Sequence, residues 1–97
     1  MEKYDEFVEE QIKTANQELK EVKTAQELID LVNSYYFDET GLGFPLYLIG
    51  KRSSWCLYSG TIIDDKNVDF LLSDGVSNRI VNVDNAYKYY RFSDRCR

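Results

Sequence analysis

Residues 54–83 read SWCLYSGTIIDDKNVDFLLSDGVSNRIVNV, and this stretch decides the architecture. Apolar and polar residues alternate along it, with β-branched and aromatic side chains at many of the apolar positions, which is the two-residue period of half-buried strands. Asp64-Asp65-Lys66-Asn67 and Ser73-Asp74-Gly75 interrupt the alternation and read as turns. The strands so delimited are Ser54–Ile63, Val68–Ser73 and Arg79–Val83. Gly60 falls inside the longest of them, where a glycine marks a bulge or a sharp bend.

Working outward, Leu46–Ile49 reads as a strand before the break Gly50-Lys51-Arg52-Ser53, and Tyr87–Phe92 as another after the turn Asp84-Asn85-Ala86. Ahead of Gly43 the period changes to that of a helix. Tyr4, Phe7, Val8, Ile12, Ala15, Leu19 and Val22 recur at steps of three and four residues and share one helical face. Thr24-Ala25-Gln26-Glu27 has the form of a capping box, in which the Thr24 hydroxyl accepts from the Glu27 N–H and the Glu27 carboxylate accepts from the Thr24 N–H. A second helix should follow, burying Leu28, Leu31, Val32 and Tyr35, and the run Asp38-Glu39-Thr40-Gly41-Leu42-Gly43 should end it. The expectation is one α+β domain over 1–97: an acidic two-helix unit at 1–43, then a five-stranded antiparallel barrel at 44–97.

Composition agrees with a single packed domain, since 97 residues with 43% hydrophobic content support one core and not two. Charge is divided unevenly along it. Residues 1–43 hold eleven acids and four lysines, net −7, whereas residues 44–97 hold six acids and eight bases, net +2. No run of apolar residues is long enough to span a bilayer, and the acidic N-terminus lacks the basic-then-apolar order of a signal peptide. A cytoplasmic setting is therefore expected, with Cys56 a core thiol and Cys96 an exposed one, both reduced.

The chain has no histidine, which removes the usual general base and the commonest zinc ligand. Gly41-Leu42-Gly43 lacks the later glycine and the strand-before-helix setting of a dinucleotide fingerprint. Asp65, Asn67 and Asp69 open like a calcium loop, but Phe70 stands where glycine is needed and Val76 where glutamate is needed, so a solvated hairpin turn is the better reading. No catalytic residue, metal or cofactor is assigned, and the expected function is a non-enzymatic protein-binding module, an inhibitor in style, with single-stranded nucleic-acid binding as the alternative.

Two surfaces could carry that binding. Glu2, Asp5, Glu6, Glu9 and Glu10 give the first helix a dense row of carboxylates suited to a basic protein surface. Tyr87, Lys88, Tyr89, Arg91 and Arg95 interleave rings with cations, the pattern that stacks bases and meets phosphates in single-stranded nucleic acid. The same residues also suit a closing strand that buries Tyr90 and Phe92. The stripe Val8, Ile12, Ala15, Leu19, Val22 has near-heptad spacing and offers a homodimer through the first helix as a further arrangement.

Trp55, the strand ending in Gly60-Thr61-Ile62-Ile63, the hairpin into Val68-Asp69-Phe70-Leu71-Leu72-Ser73-Asp74-Gly75 and the closing Arg79-Ile80-Val81-Asn82-Val83 together resemble the SH3-like small barrels, Tudor domains in particular. That resemblance implies capture of methylated side chains by an aromatic cage, with Trp55 and Phe70 as its members here; the aromatic expected beside the acidic turn is missing, because Gly75 follows Asp74 directly. In size and charge the chain is also similar to small acidic phage counter-defence proteins of the anti-CRISPR and anti-restriction kind. That likeness implies an inhibitor whose carboxylates dock on a nucleic-acid-handling protein of the host cell.

Overall fold

The computed structural model describes residues 2–52 and 55–95, with side chains from residue 6 onward. Helix α1 (Glu2–Glu21) is amphipathic as its spacing requires: Val8, Ala15 and Leu19 are buried, and Ile12 and Val22 pack against the core. Phe7, on the same predicted face, is partly exposed and meets Phe44 edge to face with ring centroids 6.3 Å apart. Helix α2 (Ala25–Tyr36) buries Leu28, Val32 and Tyr35, while Leu31 stays half-buried. Thr24 is its N-cap, accepting from the Glu27 N–H at 3.2 Å. The return bond of the box differs from expectation: the Glu27 carboxylate accepts from the Thr24 hydroxyl at 3.1 Å. The helix stops where Asp38 enters the left-handed region at φ 53°, its carboxylate accepting from the Leu42 and Gly43 N–H groups.

The strands are β1 (Tyr47–Gly50), β2 (Cys56–Asp64), β3 (Asn67–Leu72), β4 (Asn78–Asn82) and β5 (Tyr90–Ser93), with a single helical turn, α3 (Ala86–Tyr89), before the last. They form one antiparallel sheet in the order β4-β3-β2-β1-β5. Paired residues lie on the same face, so Phe92, Leu48, Leu57 and Leu72 make a continuous buried row. Val68, Phe70 and Leu72 alternate with half-buried neighbours along β3, as its sequence period requires. Gly60 sits where the β2–β3 register shifts, and a Cβ there would lie 2.8 Å from Phe70 Cε1 and 2.8 Å from Val68 Cγ1. The glycine makes room for the Phe70 ring, the reason a strand-weakening residue stands in mid-strand.

Two expectations about the sheet are corrected. It is not closed into a barrel: among the described residues β4 and β5 are its unpaired ends. Closure fails because β5 has four residues, all paired with β1, and its free side is met by α1, where Asn16 Oδ1 accepts from the Phe92 N–H at 2.8 Å. Tyr87–Tyr89, expected in the strand, are helical instead. The Asn85 N–H donates to Asn82 O and the Lys88 N–H to Asn85 O, and the buried Ala86 is small enough to seat this turn against the core.

The core joins α1 and α2 to the sheet: Leu19, Leu28, Val32 and Tyr35 meet Leu46, Leu48, Phe70 and Phe92 in one cluster. Tyr35 stacks obliquely on Phe92 with centroids 5.1 Å apart, and its hydroxyl donates to Glu18 at 2.9 Å. Burial first, then the Glu18 bond and charge, push that phenol well above its ordinary range. The α1 stripe offered for homodimerisation is thus covered by the chain's own core at Ala15 and Leu19. Cys56, expected as a free thiol, is disulfide-bonded; Cys96 lies outside the described residues. No helix among the described residues is long and apolar enough to cross a membrane.

Candidate functional site

The unclosed seam of the sheet is a cleft of about 710 Å³. Its floor is Leu57 of β2 and Leu72 of β3, both almost fully buried. Arg79 stands on one rim in edge strand β4, and Tyr90 on the other where β5 pairs with Gly50 of β1. The β1–β2 connection supplies Lys51, Arg52 and Trp55, and α3 supplies Lys88 and Tyr89. The Lys51 N–H donates to Tyr89 O at 2.9 Å, tying these two walls together.

Four cations and three rings therefore converge on one concavity, with no carboxylate among the described residues of its lining. The only ion pair among the described residues is Lys66–Asp84 at 3.5 Å, on an exposed turn, so none of the four cleft cations is neutralised there. Trp55 is 43% exposed and Tyr89 64% exposed, so each offers aromatic surface to a ligand. Tyr90 is half-buried; burial raises its phenol pKa and the neighbouring Arg79 charge pulls the other way. A positive field in a partly desolvated cleft acts on phosphate more strongly than the same charges spread over a convex surface.

The residues singled out from sequence are dispersed. Lys88 and Tyr89 line the cleft, whereas Tyr87, Arg91 and Arg95 do not. Lys88 Nζ also lies 5.9 Å from the Tyr87 ring centroid. Arg91 projects from β5 opposite Ile49, away from the buried Phe92 row. The methyl-cage expectation is corrected: Trp55 is on the cleft wall, but Phe70 is 1% exposed beneath Gly60 and cannot face a ligand. On α1, Glu6, Glu9 and Glu10 are exposed; the side chains of Glu2 and Asp5 lie outside the described residues. Asp65 lies in the β2–β3 turn and Asn67 opens β3, with Asp64 accepting from the Lys66 N–H and the Asn67 side chain.

Sequence reading missed Lys51, Arg52 and Arg79 because they sit in a turn and on an exposed edge, where single cations are ordinary. A usable signal was present in Lys51-Arg52 lying three residues before the chain's one tryptophan. No family model, curated protein or solved structure matches the chain.

Proposed function

We propose that the chain is a non-enzymatic binding domain whose cleft takes single-stranded nucleic acid. One observation carries this reading: Lys51, Arg52, Arg79 and Lys88 share one cleft with the exposed rings of Trp55 and Tyr89. Cations answer phosphates and rings answer bases, and neither reads sequence. The described lining supplies charge and stacking area. The net charge of −5 is no obstacle, because the acids concentrate in residues 1–43 and the cleft is drawn from residues 50–90.

The test is a titration with a labelled single strand at several salt concentrations. Each phosphate neutralised contributes about −0.7 to the slope of log K against log salt, so two to four phosphates give about −1.4 to −3. Arg79→Gln should flatten the slope by about 0.7, and Tyr89→Ala should cost about 1–3 kcal/mol at any salt. Absent binding at low salt refutes the proposal, as does a slope unchanged by Arg79→Gln.

A second reading is favoured by the exposed, unpaired Glu6, Glu9 and Glu10 on α1: an inhibitor that docks its carboxylates on a basic nucleic-acid-handling protein. It predicts competition with double-stranded DNA for such a protein, abolished when these three are changed to Lys. Under the cleft reading that triple change leaves single-strand binding intact.

A further inference from the structure

The dimensions of the cleft bear on how much of a strand it can hold. Small barrels that track a single strand present a long basic groove, commonly covering four or more nucleotides. Here the lining cations are confined to one concavity of about 710 Å³. That is the size of a small-molecule cleft, roughly 300–1,000 Å³, so the space suits a unit of one or two nucleotides rather than four or more. The lining divides in the same way. Trp55 and Tyr89 are its two strongly exposed rings, one on the β1–β2 connection and one on α3, and Tyr90 is half-buried behind them.

The surroundings do not extend the track. Beyond Arg79, edge strand β4 exposes Ile80, and the preceding turn exposes Val76 beside the Asp74 carboxylate. Lys66, on the far hairpin, is engaged by Asp84 and by Lys23 O at 2.7 Å.

We infer that the cleft is a two-nucleotide site, filled by a dinucleotide unit bearing two phosphates, whether that unit is free or part of a strand. This inference rests on the nucleic-acid reading above. It also supplies its own reporter, since Trp55 is the chain's one tryptophan and stands in the cleft wall, so a base stacked on it quenches its fluorescence.

The experiment titrates the full chain with 5′-phosphorylated dithymidylate and with a sixteen-residue oligothymidylate, following Trp55 emission near 0.15 M salt, where charges beyond about 8 Å are screened. The expected result is quenching by both, with a per-site affinity for the longer strand less than tenfold above that for the dinucleotide. Dithymidylate should displace the labelled long strand, and Arg79→Gln should weaken both probes by the same factor. Quenching by dithymidylate alone keeps a two-nucleotide site, assigns the free dinucleotide as its source and overturns the single-strand reading. A per-site gain of tenfold or more for the long strand overturns the inference and leaves the single-strand reading standing. No quenching or binding by either probe, even at low salt, overturns both.

Discussion

Replacing Gly60 by alanine tests whether the bend of β2 exists to house Phe70. The added Cβ would come within 2.8 Å of both Phe70 Cε1 and Val68 Cγ1, whereas carbon atoms in good contact stay about 3.5–4.0 Å apart. Neither neighbour can swing away into solvent, because Phe70 is 1% exposed and Val68 is fully buried. Overpacking of this kind costs about 1–3 kcal/mol. Gly60 does not occupy the left-handed region, so alanine also recovers about 0.4–1 kcal/mol by restricting the unfolded chain. The net expectation is a loss of about 1–2 kcal/mol. For a domain of this size that lowers Tm by roughly 5–15 °C and the urea midpoint by about 0.5–1 M. Equilibrium urea unfolding followed by Trp55 fluorescence and by circular dichroism is the assay. A Gly60→Ala and Phe70→Leu cycle adds a check on cause. Removing the ring edge relieves the clash, so the double variant should lose at least about 0.5 kcal/mol less than the two singles added together. An unchanged or higher midpoint in Gly60→Ala refutes the reasoning; additive losses show that Phe70 is not the obstruction.

Two further outcomes follow from other contacts. Asn16→Ala leaves the buried-edge Phe92 N–H without its acceptor, which should cost about 1–3 kcal/mol and speed hydrogen exchange at that amide; Asn16→Asp keeps an oxygen in place and should restore most of the loss. Asp74 accepts from the Ser77 hydroxyl, then from the Ser77 and Val76 N–H groups, and these bonds hold its pKa below the ordinary value. The turn's share of stability is therefore present above the unfolded pKa of about 4 and lost as pH falls through the lower folded value. Carboxyl NMR titration should show Ser77→Ala moving the Asp74 midpoint upward, and an unmoved midpoint removes this account of the turn.

Taken alone, the sequence determined the local part of this protein. Helical and strand periods, the Thr24 cap, the Asp38–Gly43 stop and the turns at Asp64–Asn67 and Ser73–Gly75 are set by side chains within a few residues of one another, so each is legible in order along the chain. The same holds for the buried rows, since Val68, Phe70 and Leu72 must share a face once β3 is extended. Tertiary structure decided whether the sheet closed. Asn16 takes the Phe92 amide across 76 residues of sequence, Ala86 seats a helical turn where alternation suggested strand, and β4 and β5 stay apart in consequence. The cleft is a product of that separation. Lys51, Arg52, Trp55, Arg79 and Lys88 stand on three different segments and become one site only because the open seam gathers them. Periodicity reports which way a side chain points from its own element; the charge field at a point in space is a sum over elements, and that sum exists only after folding.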